Sequence, residues 1–306
     1  MAYQKVFKRY EIKYMLTREQ KDRVVKAIEP YMMMDNFGRS TIRNIYFDTD
    51  DYILARHSIA KPDFKEKLRI RSYSRVTNDD TVFVELKRKF DHVVYKRRIS
   101  LPESDAMSWT TMRCSGSKTD NGYTQIPDEI NYFLDYYRNL RPAVFLSYDR
   151  EAYRMRDKND EFRLTFDENV LCRDYDMSLT AEVGGTHVLE PGKVLMELKC
   201  PGGIPLWMVE ILNEEKLYKT SFSKYGTAYT NLIYPALAGE AQRLQESAEV
   251  ERGLAMPKRQ TASERREASK SPSQAKRHSH SKLHAPKMPE RLASMLRSMH
   301  RSPVQA

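Results

Sequence analysis

The sequence has few cysteines and none of the common motifs for metal, nucleotide or nucleophile sites. Its three cysteines, Cys114, Cys172 and Cys200, are odd in number and far apart, and no CxxC or Cys/His pair has zinc-site spacing. Walker, GxGxxG and Ser-His-Asp patterns are also missing. We therefore expect reduced, buried thiols, as in cytosolic proteins, and a functional site built from other side chains.

Long apolar runs are missing as well. The first nine residues contain no apolar stretch of the kind found in signal peptides. No window approaches the roughly 18 apolar residues that a membrane-spanning helix needs. We expect a cytoplasmic protein that is either soluble or held at the inner face of a membrane only through a partner.

The chain is basic, with a net charge of +10, but the excess is unevenly distributed. Residues 241–306 contain 14 Lys and Arg against 6 Asp and Glu, whereas residues 1–240 contain 38 against 36. The isoelectric point of about 9.3 therefore reports mainly on the C-terminal part. Nucleic acid is not an expected partner of the first 240 residues on this ground.

Composition divides the chain into a folded domain, residues 1–238, and a basic tail, residues 239–306. From about Ala241 onward Ser, Arg, Lys, His, Pro and Gln dominate, which predicts disorder. Within the tail, apolar residues recur at helical spacing over 289–300, so a short amphipathic helix there could dock on a membrane-protein partner or an anionic membrane. An unstructured tail is the alternative.

The folded part reads as many antiparallel strands with a few helical insertions. Strands are predicted over 6–16, 40–47, 65–73, 81–89, 93–101, 143–155, 161–167 and 193–200, and helices over 50–58, 127–140, 205–213 and 223–237. Thr17 and Gln20 form a capping box that predicts a further helix after the first strand. No βαβ rhythm appears, so a doubly wound sheet is excluded.

Several predicted strands carry cations on alternate positions. Lys67, Arg69 and Arg71 share one face of their strand, because residues i, i+2 and i+4 of a strand point the same way. Three strands also contain Glu-x-Lys, which places an acid and a base on the same face: Glu11/Lys13, Glu85/Lys87 and Glu197/Lys199. Like charges repel across a sheet, so repeated cationic faces indicate a bound polyanion.

These strands predict an α+β protein whose antiparallel sheet closes into a barrel with a basic lumen and helices packed outside. Arginine forks and lysine ammonium groups are the side chains that hold phosphate. The carboxylates either neutralise these cations or hold Mg²⁺ or Mn²⁺ against phosphate. Metal bridging with cationic clamps is the chemistry of phosphoryl transfer.

The sequence resembles the VTC-type polyphosphate polymerase domain, a branch of the triphosphate tunnel metalloenzymes, over roughly residues 5 to 235. The resemblance depends on the order and spacing of several motifs together: Arg9-Tyr-Glu-Ile-Lys-Tyr14, Ile45-Tyr-Phe-Asp48, Lys67-Leu-Arg-Ile-Arg-Ser-Tyr73, Phe83-Val-Glu-Leu-Lys-Arg-Lys89, Lys96-Arg-Arg98, Tyr148-Asp-Arg150, Phe162-Arg-Leu-Thr-Phe-Asp167, Met196-Glu-Leu-Lys199 and Ser223-Lys-Tyr225.

The resemblance implies an eight-stranded antiparallel tunnel that transfers the γ-phosphate of ATP onto a growing polyphosphate with a divalent metal, Mn²⁺ or else Mg²⁺. It implies phosphate contacts from Lys13, Arg69, Arg71, Lys87, Lys96, Arg150, Arg163, Lys199, Lys224 and the hydroxyl of Ser223. Ser223 is also a plausible cap of the final helix. The implied metal ligands are Glu197 first, then Glu85 and Asp167, with some remaining capacity at Glu11.

One position departs from the wider superfamily. Hydrolytic members begin Glu-x-Glu-x-Lys, whereas this chain has Arg9-x-Glu11-x-Lys13. The loss of one carboxylate argues against a two-metal triphosphatase and fits a polymerase, which must avoid activating water. Two alternatives remain: hydrolysis of tripolyphosphate or nucleoside triphosphates in the same tunnel, and a non-catalytic module that binds polyphosphate or inositol phosphates.

Overall fold

Ten antiparallel strands form one sheet in the computed structural model, which describes residues 10–60, 62–90, 93–112 and 125–254. Eight of the strands have eight or more residues, and two have only two. Their bounds are β1 Tyr10–Thr17, β2 Met32–Asp48, β3 Phe64–Ser72, β4 Thr81–Phe90, β5 Val93–Pro102, β6 Arg141–Met155, β7 Arg163–Arg173, β8 Thr186–His187, β9 Lys193–Cys200 and β10 Lys219–Thr220.

The helices lie between these strands and after them, so the fold is mixed α+β as predicted. They are α1 Arg18–Ile28, α2 Ile53–Ala60, α3 Glu103–Met112, α4 Gln125–Tyr136, α5 Leu206–Glu214, α6 Lys224–Ala228 and α7 Tyr234–Leu254, with a π-helical turn at Tyr229–Ile233 between the last two. The capping box at the start of α1 is confirmed, because the Thr17 side chain accepts from the Gln20 N–H and the Gln20 side chain accepts from the Thr17 N–H.

The strand order is β10-β1-β9-β7-β6-β2-β3-β4-β5, and β8 pairs with β7 outside this path. The strand pairings among the described residues are all antiparallel. Among the described residues no hydrogen-bonded pairing joins β10 to β5, so the sheet is open in its backbone. The closed barrel predicted from the sequence is therefore not confirmed.

The sheet nevertheless curls strongly. Lys87 on β4 and Glu11 on β1 are separated by five intervening strands, yet the Lys87 Nζ lies 2.9 Å from Glu11 Oε2. In a flat sheet, with strands about 4.8 Å apart, these two strands would be roughly 29 Å from each other. The contact therefore brings the charged side chains of both halves of the sheet toward each other, and we call the face that carries them the inner face.

Apolar side chains that alternate with the charged ones cover the opposite, outer face. On one half of the sheet, residues such as Leu68 and Leu86 pack with Trp109 of α3 and Phe133 of α4. On the other half, Leu198 and its neighbours pack with residues of α1 and α5. At these positions the alternation commits the intervening charged residues to the inner face, whereas Glu66 and Arg88 lie on the outer face and pair with each other.

Helix α6 packs at the inner side of the sheet. The Tyr225 ring stacks on the Tyr46 ring with centroids 4.7 Å apart, and its hydroxyl donates to Asp48 Oδ2 at 2.6 Å. Asp48 is fully buried and also accepts from the backbone N–H groups of Leu54 and Ala55 at the start of α2. The start of the final helical stretch is thereby anchored to β2 and α2.

Two sequence assignments need correction. Residues 103–112, which carried no predicted element, form α3. Residues 241–254, predicted to be disordered, continue helix α7, because Ala, Gln, Glu, Arg and Leu are strong helix formers. The proposed amphipathic segment 289–300 lies outside the described residues.

The chain divides into two units, Met1–Gly239 and Glu240–Ala306. Within the described part of the chain, none of the helices combines the length and the apolar character that crossing a bilayer requires.

Candidate anion-binding site

The inner face holds a carboxylate surrounded by four cations. Glu85 on β4 is 1% exposed, and its Oε2 accepts from Arg69 Nε at 2.8 Å and Arg69 Nη2 at 2.7 Å. Its Oε1 lies 2.6 Å from Lys96 Nζ and 2.9 Å from Arg98 Nε, and Arg71 Nε is 3.9 Å from Oε2. The Arg98 Nε and Glu85 Oε1 atoms are not aligned for a hydrogen bond. One negative charge thus holds four positive side chains.

The pKa values of this cluster follow from its charge imbalance. Burial alone would raise the pKa of Glu85, but Arg69, Arg71 and the two other cations hold it well below its ordinary value. Burial lowers the pKa of Lys96 to about 7, and the neighbouring arginines add to this effect while Glu85 opposes it. Lys96 is therefore only partly charged near neutral pH when no anion is bound.

A second buried carboxylate, Asp167 on β7, holds two more cations. Arg150 makes a two-pronged contact with it, from Nε to Oδ1 at 2.6 Å and from Nη2 to Oδ2 at 2.7 Å, and Lys224 Nζ donates to Oδ2 at 2.5 Å. Burial opposes ionisation of Asp167, but these two cations outweigh burial and lower its pKa to about 2. Asp167 thereby fixes Arg150 on β6 and Lys224 at the start of α6 relative to each other.

Two further carboxylates lie among lysines. Glu197 on β9 is 3.0 Å from Lys199 Nζ and 3.6 Å from Lys13 Nζ, and Glu11 is paired with Lys87. Lys13 Nζ also donates to the carbonyl oxygen of Phe222 at 2.7 Å. Burial would raise the pKa of Glu197, but the lysines keep it well below the ordinary value. Both carboxylates are therefore ionised at neutral pH.

Lys67 on β3 differs from the other cations, because no carboxylate of the described residues lies within ion-pair distance of it. Its Nζ contacts the hydroxyl oxygen of Ser223 at 3.2 Å, and Ser223 also accepts from the Gly226 N–H as the cap of α6. Burial and the charges of Lys87 and Lys13 hold the pKa of Lys67 well below its ordinary value. An anion bound beside it would restore its charge.

Neutral side chains orient the arginines. Arg71 donates from Nε to Asn44 Oδ1 and from Nη2 to the Tyr148 hydroxyl, both at 2.9 Å, while Arg69 Nη1 donates to the Tyr46 hydroxyl at 2.9 Å. Burial raises the pKa of Tyr148, but Arg71 and Arg150 outweigh it, and the pKa falls to about 8. Each guanidinium is thus held in one orientation before any ligand arrives.

The structure brings together most of the residues that the sequence singled out. The inner face contains Lys13, Arg69, Arg71, Lys87, Lys96, Arg150, Lys199 and Lys224, and the carboxylates Glu11, Glu85, Asp167 and Glu197. Ser223 lies at the same face through Lys67. Arg163 lies opposite Lys199 in the strand register but is exposed and makes no hydrogen bond or ion pair with the described residues. Arg9 is not among the residues described.

Sequence reasoning left out Lys67 and Arg98 as site residues, together with Asn44, Tyr46 and Tyr148. Lys67 and Arg98 are at inner-face positions of β3 and β5. The same alternation that pointed to Arg69 and Lys96 could therefore have predicted them as site residues. Tyr46 lies between the apolar residues Ile45 and Phe47, whereas Tyr148 lies between Ser147 and Asp149. Their contacts with Arg69 and Arg71, however, cross between strands and carry no local sequence pattern.

The four carboxylates of the inner face differ in whether they could ligate a divalent metal ion. In the described part of the chain, no three Asp, Glu, His or Cys side chains gather as a metal cluster. The oxygens of Glu85 and Asp167 are enclosed by arginine and lysine donors. Within the described part of the chain, the ion pairs of Glu197 and Glu11 are with lysines, and the charge of Glu197 acts on Glu11. These two carboxylates fit Mg²⁺ or Mn²⁺ if phosphate oxygens complete the ligand set, as is common for these ions.

The site as a whole has a large positive excess. Ten lysine and arginine side chains of the described residues share the inner face with four carboxylates: Lys13, Lys67, Arg69, Arg71, Lys87, Lys96, Arg98, Arg150, Lys199 and Lys224. Such an arrangement repels itself when empty and is neutralised by a ligand with several negative charges. A chain of linked phosphates carries several such charges.

Comparisons with known proteins agree with this geometry at the level of family. The model of the family described as the VTC domain matches residues 8–233. No curated protein matches the sequence. Two solved structures, each described as a "putative adenylate cyclase", resemble the chain. One from Bacillus halodurans has a TM-score of 0.45 and 16% identity over 72% of this chain and 95% of its own. One from Vibrio parahaemolyticus has a TM-score of 0.36 and 11% identity over 71% and 95%. Both likenesses are too weak in geometry to bear on activity.

Proposed function

Because the chain belongs to the VTC domain family, we propose that it is a polyphosphate polymerase, which transfers the γ-phosphate of ATP onto a growing polyphosphate chain. The observation that carries the proposal is that ten cations of the described residues share the inner face with four carboxylates. ATP and polyphosphate are the partners that this charge pattern fits. We further propose that the curled sheet surrounds the phosphates as a tunnel.

The arginines would position the phosphates that react. Arg69, Arg71 and Arg150 are held by carboxylates, tyrosines and Asn44, so their orientation is set before substrate binds. At an effective dielectric constant near 20, each charge pair at 4 Å contributes roughly 4 kcal/mol. Several such contacts offset the desolvation of a triphosphate and hold it in line for transfer, which is most of what phosphoryl-transfer catalysis requires.

We assign different roles to the two kinds of carboxylate. Glu85 and Asp167 would hold arginines and lysines in place, because their oxygens already accept from those cations. Glu197, with Glu11, would hold the divalent metal against phosphate. When bound, Mn²⁺ or Mg²⁺ supplies charge neutralisation at the transferred phosphate.

The lysines would respond to the charge of the substrate. Lys13, Lys67 and Lys96 have lowered pKa values in the free protein because they are buried next to other cations. A polyphosphate bound among them would favour their charged forms and draw in protons. Lysine ammonium groups on flexible stems can also follow a chain as it advances, which suits a processive polymer substrate.

The direct test is incubation of the purified protein with ATP and Mn²⁺. Long-chain polymer together with ADP supports the polymerase, whereas orthophosphate with ADP and no polymer supports hydrolysis in the same site. Binding of polyphosphate without consumption of ATP would indicate a non-catalytic module. Arg71→Ala should abolish polymer formation, and Arg23→Ala, at an exposed arginine of α1 that pairs with Glu215, should leave it unchanged.

A further inference from the structure

An exposed aromatic ring lies beside the cations of the inner face. Tyr73 directly follows the last residue of β3, and 41% of its surface is accessible to solvent. Its Cα lies within about 7 Å of the Cα of Arg71, because two residues of chain span no more than that distance. The ring is therefore both open to a ligand and close to an arginine of the anion site.

The Arg98 side chain joins this ring to the anion site. Its Nη2 donates to the Tyr73 hydroxyl, and its Nε lies 2.9 Å from Glu85 Oε1. The guanidinium carbon of Arg98 is 3.7 Å from the centroid of the Phe83 ring and 5.5 Å from that of Tyr73. The two rings meet edge to face, with centroids 5.6 Å apart. The aromatic pair therefore borders the cluster of cations around Glu85.

Tyr73 differs in its neighbours from the other exposed aromatic residues in the described part of the chain. None of those makes a hydrogen bond or a cation–π contact with a cation of the inner face. Tyr132, for example, stacks on Tyr136 along α4, which packs on the outer face. The aromatic rings deeper in the inner face, such as that of Tyr148, are buried.

An open ring next to phosphate-binding arginines matches the chemistry of a nucleotide. A nucleoside triphosphate joins a charged chain, through a sugar, to a flat aromatic base, whereas polyphosphate has the chain alone. Cations neutralise the phosphates, but the uncharged base gains most from contact with an aromatic face. A polyphosphate chain has no group that would use the Tyr73 ring.

We propose that Tyr73 is the base-stacking residue of a nucleotide subsite, in which a purine base lies against its ring while the phosphates extend past Arg98 and Arg71 along the inner face. The inference rests on the proposed function, because it takes ATP as the substrate. The contacts of Tyr73 with Arg98 and with the Phe83 ring hold it in place before the nucleotide arrives, which lowers the entropy cost of binding.

This subsite sets the direction in which ATP lies. Its γ-phosphate is the group farthest from the base, so it points along β3 and β4 toward Lys67 and Lys87, which face each other in the strand register. Lys87 pairs with Glu11, one of the two carboxylates proposed to hold the metal. The reacting phosphate thereby reaches the metal, and the base stays at the Tyr73 end.

Stacking also predicts the nucleotide preference. A ring contact reads the flat face that every base has, and larger bases have more of it. ATP and GTP should therefore bind about equally well, and CTP and UTP more weakly.

The first experiment measures the binding of ATP and of tripolyphosphate to the full chain by calorimetry, with a metal chelator present so that no turnover occurs. Tyr73→Ala should weaken ATP binding by about 5- to 100-fold, the range that stacking of a base on an aromatic ring contributes. Its affinity for tripolyphosphate should stay within about twofold of the wild type. Unchanged affinity for ATP, or equal weakening for both ligands, would overturn the proposal.

Tyr73→Phe separates the ring from its hydroxyl. This variant keeps the stacking face but loses the contact with Arg98, so ATP should bind within about twofold of the wild type. A loss as large as that of Tyr73→Ala would mean that Tyr73 acts by holding Arg98, which contradicts a stacking role. Tyr132→Ala, at a tyrosine of similar exposure, should leave both affinities unchanged.

The second experiment places a fluorescent ring at the subsite. In Tyr73→Trp the added emission, measured against the parent with its two tryptophans, should be quenched by ATP and GTP and less by CTP. Tripolyphosphate should not quench it. The same response to ATP and to tripolyphosphate would show that no base contacts position 73.

Because these measurements need no turnover, the subsite and the polymerase can fail separately. ATP binding that depends on Tyr73, without polymer formation, would remove the polymerase and keep the subsite. Polymer formation with an unchanged KM for ATP in Tyr73→Ala would remove the subsite and keep the polymerase.

Discussion

Arg69 donates two hydrogen bonds to a single oxygen of Glu85, through Nε at 2.8 Å and Nη2 at 2.7 Å. The two residues face each other across β3 and β4, and Glu85 is almost fully buried. The Glu85 carboxylate offsets part of the repulsion between the cations that surround it. It also sets the orientation of the Arg69 guanidinium. The remaining excess is left for a polyanion.

Arg71→Ala should weaken binding of tripolyphosphate by about 10- to 100-fold, since a hydrogen bond to a charged group contributes about 1.5–3 kcal/mol. Arg71 is 6% exposed and is aligned by Asn44 and Tyr148. Calorimetric titration measures the change, with Arg23→Ala as the control on the outer surface. Unchanged affinity would exclude Arg71 from the phosphate site.

Glu197→Gln should abolish turnover of ATP while binding of tripolyphosphate without metal stays the same or becomes tighter. The substitution removes a negative charge beside Lys13 and Lys199, so the site becomes more attractive to anions. ADP release and calorimetry report the two effects separately. Parallel loss of binding and turnover would count against a metal at Glu197.

Affinity for tripolyphosphate should fall as pH rises from about 6 to 9. The pKa of Lys96 is about 7 in the free protein, and a bound anion raises it. Below pH 7 the free protein already carries this proton. Above pH 7 binding must take up the proton, so each further pH unit weakens binding by up to about tenfold for this group. Ionisation of Tyr148, with a pKa of about 8, acts in the same direction.

Calorimetry in two buffers of different ionisation enthalpy measures this proton uptake directly. Lys96→Met should make the pH dependence shallower. A flat profile in the wild type, with no proton exchange, would contradict the assigned role of Lys96.

Asp48→Ala should lower the free energy of unfolding by about 2–4 kcal/mol, because it removes the acceptor of several buried donors. Its carboxylate accepts from the backbone of Leu54 and Ala55 and from the Tyr225 hydroxyl. Chemical denaturation measures the change. Asp50→Ala, at an exposed residue that pairs with Arg141, should change stability by less than about 1 kcal/mol.

A chain that ends at Leu254 should bind tripolyphosphate as the full chain does, because the inner-face contacts among the described residues lie within residues 11–225. The same shortening should remove any affinity for DNA or RNA, which the basic residues beyond 254 would provide with a steep dependence on salt. A loss of tripolyphosphate binding would give those residues a part in the site.

Much of the inner face was predictable from local alternation. In Lys67-Leu-Arg-Ile-Arg71 the period of two separates cations from core residues, and the structure keeps that separation, with Leu68 and Ile70 fully buried. The Glu-x-Lys pairs were located in the same way, and the Thr17 capping box was readable because all its contacts are within four residues. Helix α3 was not predicted, since its apolar residues show no clear helical period.

The ion pairs between charged residues on different strands could not be predicted from the sequence. The sequence places Glu11 with Lys13, and Glu85 with Lys87, on one face of a strand without naming their partners. The structure pairs Glu11 with Lys87 and Glu85 with Arg69. These pairings depend on strand order and curl, which long-range contacts set. Sequence periodicity thus determined which face each charge occupies, because side-chain direction is a local property of a strand. Only the tertiary structure decided which charges meet, because distance depends on the packing of strands far apart in the chain.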